Sequence, residues 1–264
     1  MKGFLHAAVI AGLLAAAPAR AQDAAPDTRQ DAKNDQKHCE APAYLTSADT
    51  PLSNVAESVK TRQKLDILVI GSASSVLPGP DGAASAYPAK LEASLRKKLN
   101  GITVNVAIEV LPKQTAEQVA EVIEKLATDR KPTLVVWQTG TVDAMRSVNP
   151  DDFRTALDEG VGAVKGAGAD IILLNPQYSP RMETVISLGA YLDSMRVVAQ
   201  QHETPLFDRF AIMRHWQDAG EFDLFDASRG LGLAKRVHDC LGRALSDMVI
   251  EAARINPAEL RIQR

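Results

Sequence analysis

The sequence has no basic stripe and no interleaving of basic with aromatic residues, and its net charge is only -3. A nucleic-acid-binding surface is excluded on that ground. It contains no G-x-G-x-x-G and no G-x-x-x-x-G-K-[ST], so neither a dinucleotide nor a nucleoside triphosphate is indicated. His202 and His215 have no carboxylate or histidine at metal-ligand spacing. We therefore expect no metal and no cofactor. After the first residues no apolar run is long enough to span a bilayer. There is no internal repeat. Cysteine occurs only twice, at Cys39 and Cys240.

What is present begins with a leader. Met1-Lys2, an apolar stretch from Ala7 to Ala17 and Ala19-Arg20-Ala21 form a charged start, a short apolar core and a small-x-small cleavage site. We expect a signal peptide over residues 1–21 and a bacterial periplasmic or secreted product. Residues 22–38 are polar and carry no large apolar side chain, so they read as a flexible tether. The stretch 39–264 is one domain by length. In an exported protein two cysteines invite a disulfide, the alternative being two separate thiols. A Cys39–Cys240 bridge is expected, because it staples the N-terminal segment to the domain.

Strands and helices alternate along that domain. Leu65–Gly71 is an unbroken apolar run, as a central parallel strand requires. Tyr87-Pro88 opens a helix through Leu99, with Leu91, Leu95 and Leu99 on one face. Ile102–Val110 is a second strand. Thr115 is placed to cap a helix through Ala127. Thr133–Gln138 and Asp170–Asn175 are further strands, with a helix from Pro150 to Lys165 between them. A helix over Met182–Gln201, a short strand over Thr204–Asp208 and a last helix over Leu231–Arg254 complete the pattern. Five strands with intervening helices predict an α/β fold, a three-layer α/β/α sandwich of flavodoxin-like topology around a parallel sheet.

Two strand ends carry the functional signal. Gly71-Ser72-Ala73-Ser74-Ser75 follows the first strand and Gly140-Thr141-Val142-Asp143 follows the third. In an open parallel sheet, ligands and catalytic groups sit at such ends. The pair resembles the SGNH (GDSL) hydrolase superfamily, whose first turn reads G-D-S or G-S-S and whose second reads G-T-N-D. Tyr87-Pro88, Asn175-Pro176-Gln177-Tyr178, Phe207–Trp216 and Asp239-Cys240-Leu241-Gly242-Arg243 extend the resemblance over most of the chain.

The resemblance assigns the nucleophilic serine to Ala73, the oxyanion glycine to Lys113 and the oxyanion asparagine to Val142. It assigns the aspartate and histidine of D-x-x-H to Arg229 and Gly232. A methyl group cannot attack a carbonyl, valine has no donor for an oxyanion and glycine cannot take a proton. Ser72, Ser74 and Ser75 are the fallback nucleophiles and His238 the fallback base, but His238 lies one residue off the buried stripe of its helix and reads as a flank residue. The expected ligand pocket comprises Gly71, Ser72, Ala73, Ser74, Lys113, Gly140, Thr141, Val142, Asp143 and Arg229. Arg229 and Lys113 would make it cationic and suited to an acidic ligand such as a uronic-acid glycan. The resulting expectation is a catalytically degenerate binding or scaffolding protein of the cell envelope. Its partners would be an envelope glycan, an acylated small ligand or an envelope protein. The alternative is a weak esterase or deacylase with a displaced serine. Trp216 and Phe222 could form an interface or anchor the core.

Overall fold

A computed structural model describes residues 39–225 and 230–261. The expected leader and tether lie outside these residues. Five strands form one wholly parallel sheet in the order β2-β1-β3-β4-β5. They are β1 (Lys64–Gly71), β2 (Thr103–Val110), β3 (Leu134–Gln138), β4 (Asp170–Leu174) and β5 (Leu206–Phe207). β1, β3 and β4 are covered on both faces, which explains their continuous apolar runs. β2 is an edge strand and alternates, with Val104 buried between exposed Thr103 and Asn105.

The longer helices are α1 (Ser53–Arg62), α2 (Tyr87–Lys98), α3 (Ala116–Arg130), α4 (Pro150–Gly166), α5 (Gly189–Gln201), α6 (Arg209–Asp218) and α7 (Gly230–Ala252). α2 packs on α7, while α3, α4 and α5 pack in a row. Right-handed crossovers place these two groups on opposite faces of the sheet. Gly242 permits the first contact, because a Cβ there would stand 2.8 Å from the Tyr87 carbonyl oxygen. Gly160 of α4 leaves room for Trp137 of β3, whose ring a Cβ would meet at 2.5 Å. Thr115 caps α3 in a reciprocal box with Gln118.

The expected helix over Met182–Gln201 is interrupted: a short turn at Pro180–Glu183 precedes α5, which starts only at Gly189. The β-branched run Thr184-Val185-Ile186 and Gly189 are poor helix formers. α1 and α6 have no counterpart in the sequence reading. α6 was hidden because its cap, Asp208, read as the end of a strand; its carboxylate instead accepts from the Ala211 amide at 3.0 Å.

Cys39 and Cys240 are joined by a disulfide, with their Cα atoms 5.2 Å apart. The Trp216 indole donates to the Glu40 carbonyl at 3.1 Å, and the Leu52 amide to the Ala252 carbonyl at 3.0 Å. Bridge and hydrogen bonds thus hold the first described segment against α6 and the far end of α7. Trp216 and Phe222 are buried and meet edge-on at 5.5 Å, so they belong to the core and not to an exposed interface. Among the described residues no helix is long and apolar enough to cross a membrane.

Candidate functional site

The sheet order reverses between β1 and β3, and the crevice at their C-terminal ends is the topological switch point of the fold. A cleft lies there, lined by Gly71, Ser72, Gln138, Gly140, Thr141 and Val142 among others. The space inside it is about 10 Å³, on the scale of one water, so a larger ligand would lie across its open mouth.

The turn after β1 is a single 3₁₀ turn, Ala73–Ser75. Ala73 is exposed at its start. Ser75 points inward and is fully buried. Gly71 is required by that inward hydroxyl, since a Cβ at Gly71 would fall 2.0 Å from the Ser75 Oγ. Gln138, the last residue of β3, organises the turn from below. Its Oε1 accepts from the Ser75 hydroxyl and, at 3.4 Å, from the Tyr87 hydroxyl. Its Nε2 donates to Ser72 Oγ at 3.0 Å and Ser74 Oγ at 2.8 Å. All three fallback serines are therefore bonded to one amide.

His238 corrects the sequence reading. It is buried, not a flank residue, and its Nδ1 accepts from the Tyr87 amide at 3.0 Å. The burial holds its imidazolium down, to about 4, and the Arg209 charge adds to this. The neutral ring then carries its proton on Nε2 and has no free lone pair. Tyr87 stands between His238 and Ser75, bonded to both. Arg209 is also buried; its Nε donates to the Asn175 carbonyl at 3.2 Å, and its Nη2 has no hydrogen-bond partner among the described residues. Burial lowers it to about 10.

The remaining positions fall as follows. Lys113 is exposed and has φ +62°, so the backbone keeps the left-handed conformation that favours glycine although a side chain is present. Gly140 has φ +94°, and a Cβ there would stand 3.2 Å from the Pro176 ring. Val142 is half-buried in the helical turn Thr141–Met145 and faces the cleft. Asp143 is buried and turns away to accept from the Ala116 amide at 2.8 Å, at the start of α3. Burial raises its pKa. Ala73, Ser74 and Lys113 do not line the cleft. Gly232 is exposed in the first turn of α7, and Arg229 lies outside the described residues. His202 finds Asp158 at 2.7 Å, a pair the spacing did not show. No cluster of three metal-ligating side chains occurs among the described residues.

Gln138, Tyr87, Asn175 and Arg209 all lie in or beside the sequence motifs, but spacing along the chain predicts none of their contacts. The signal for Gln138 was its polarity at the end of an otherwise apolar, fully buried strand.

A parallel sheet in this order, with a serine-rich turn after β1 and a Gly-Thr-x-Asp turn after β3, defines an SGNH hydrolase-like α/β protein. The chain matches the Non-GDSL lipase-like family over residues 38–255 and belongs to that family. Solved structures agree on the fold. TesA is 22% identical, with a TM-score of 0.55 covering 71% of this chain and 98% of its own. A putative lipolytic protein of the G-D-S-L family from Desulfitobacterium hafniense DCB-2 is 18% identical, with a TM-score of 0.52 covering 70% and 99%. Axe2, an acetyl-xylooligosaccharide esterase from Geobacillus, is 16% identical, with a TM-score of 0.57 covering 72% and 95%. No curated protein matches the chain.

Proposed function

We propose that this protein is an exported, non-catalytic member of its family that binds a glycan or acylated ligand of the cell envelope. The observation that carries this reading is the bonding at the turn after β1. The nucleophile position is a methyl group, and the three neighbouring hydroxyls are tied to Gln138. The nearest fallback base has its lone pair committed to a backbone amide. A serine hydroxyl activated for attack needs a base within hydrogen-bond reach, and among the described residues none of the three is hydrogen-bonded to an imidazole or a carboxylate. Export is supported by the leader pattern and by the disulfide, which persists in oxidising compartments. The acetyl-xylooligosaccharide activity of Axe2 makes acylated glycans a reasonable first ligand class to assay.

The test is hydrolysis of p-nitrophenyl acetate together with labelling by a fluorophosphonate probe. The wild type is expected to show neither, while an acetylated xylooligosaccharide binds saturably without being cleaved. Turnover or labelling that disappears in a Ser72/Ser74/Ser75→Ala triple variant would establish the esterase alternative instead.

A further inference from the structure

A second, larger cleft lies at the opposite end of the sheet, where the strands begin. Its volume is about 350 Å³, within the range of roughly 300–1,000 Å³ typical of small-molecule sites. Asn54 and Arg62 of α1, Thr128 of α3, and Lys131, Thr133 and Gly168 from the connections into β3 and β4 line it. β3 is five residues long, so at ~3.3 Å per residue the two clefts are on the order of 15 Å apart.

The charges at this cleft are unequal in their commitments. Asp66 is paired with Lys64 at 2.7 Å and bonded to Asn105 at 2.9 Å. Asp170 accepts from the Asn54 side chain at 3.0 Å and the Val55 amide at 2.9 Å. Arg62 and Lys131 are exposed, and among the described residues neither makes an ion pair or a side-chain hydrogen bond. Two exposed cations are thus without a contact partner among the described residues, although the Arg62 charge reaches Asp66 and helps to lower its pKa. α1, α3 and α4 also end here, at Arg62, Arg130 and Gly166. Capping amides already occupy the Ala127 carbonyl of α3 and the Ala163, Val164 and Lys165 carbonyls of α4; the other last-turn carbonyls, mainly those of α1 and α3, lie beyond the intrahelical ladder and carry partial negative charge. That charge offsets part of the cationic field, so a bare anion gains little. A ligand with a carboxylate for the cations and hydroxyl donors for the carbonyls uses both signs. Thr128, Thr133 and the Asn54 carbonyl oxygen supply further partners for such hydroxyls.

We propose that this cleft, lined by Arg62, Lys131, Thr128, Thr133 and Asn54, binds a polyhydroxy carboxylate of sugar-acid type. The site is separate from the crevice between β1 and β3 and does not depend on what that crevice does.

The experiment is a titration of the purified protein with D-galacturonate, followed by amide chemical shifts, beside D-galactose and inorganic phosphate. Saturable shifts at Lys131, Thr133 and Gly168 are expected with galacturonate. Arg62→Gln and Lys131→Gln should each weaken binding about tenfold, the loss of one charge-assisted hydrogen bond, with unchanged melting. The proposal is overturned if galacturonate gives no saturable shift, if the two variants bind as the wild type does, or if galactose or phosphate binds as tightly. Shifts confined to Gly140 and Val142 would also overturn it, while supporting a ligand at the other crevice. Failure of either site is read at different amides.

Discussion

At the scale of single residues, the interior of this protein is polar where its relatives' chemistry would begin. His238, Tyr87, Ser75 and Gln138 form one hydrogen-bonded chain, with the buried Arg209 cation close enough to act on His238. His238 gives this chain a pH signature. Its folded-state pKa is about 4, below the ordinary 6.5, chiefly because burial penalises the charged ring. Between those values the unfolded chain binds a proton that the folded one does not. Stability from the neutral ring is therefore complete above the ordinary value and is lost as pH falls through the window, by up to roughly 3 kcal/mol. His238→Gln can still accept from the Tyr87 amide but cannot titrate. Its melting temperature should fall less steeply with acidification between pH 6.5 and 4 than that of the wild type; parallel curves would exclude His238 as the titrating group.

At the scale of elements, contact between α2 and α7 is set by one missing side chain. A Cβ on Gly242 would meet the Lys90 Cβ at 2.5 Å, the Leu91 amide nitrogen at 2.8 Å and the Tyr87 carbonyl at 2.8 Å. Two of these are backbone atoms and cannot swing aside. Gly242→Ala gains helix propensity of about 1 kcal/mol, yet forces the helices apart at a cost of about 1–3 kcal/mol. A net loss is expected, read in chemical denaturation as a lower midpoint. The displacement reaches Tyr87, so the Tyr87–His238 hydrogen bond should weaken in the same variant. A variant at least as stable as the wild type would show that the helices can separate freely. α3 shows how far local sequence reaches: Thr115 and Gln118 cap it reciprocally, as Thr115's position suggested. α6 shows the opposite case, since its capping Asp208 carries no sign of whether it ends a strand or starts a helix.

At the scale of the whole molecule, the disulfide joins residues separated by 201 positions. The segment after Cys39 is also held by hydrogen bonds such as Trp216 to Glu40 and Leu52 to Ala252, and by packing of Ala41, Leu45, Ala48 and Leu52 on the core. Removing a native bridge typically costs about 2–5 kcal/mol. For a domain of this size that lowers the melting temperature by on the order of 10 °C. Cys39→Ser and wild type under reductant should shift together, and a Cys39→Ser protein that melts with the oxidised wild type would show that the bridge contributes nothing. The two clefts also belong to this scale. They occupy opposite ends of one sheet, and only the smaller one coincides with the crevice used by ligands in open parallel sheets.

The sequence alone determined the class of fold, because buried parallel strands need continuous apolar runs and their crossovers need amphipathic helices, and both patterns are written locally. It determined, too, that Ala73, Val142 and Gly232, the positions to which the family resemblance assigns serine, asparagine and histidine, carry none of those side chains, since residue identity needs no structure. Only the tertiary structure decided which polar side chains meet. Gln138 lies 66 and 64 positions from Ser72 and Ser74, and Tyr87 lies 151 from His238. Helical periodicity put His238 beside its helix's buried stripe, but whether that flank faces water depends on α2 lying against it. The close approach at Gly242 brings α2 there, and no spacing within a single helix records such a contact.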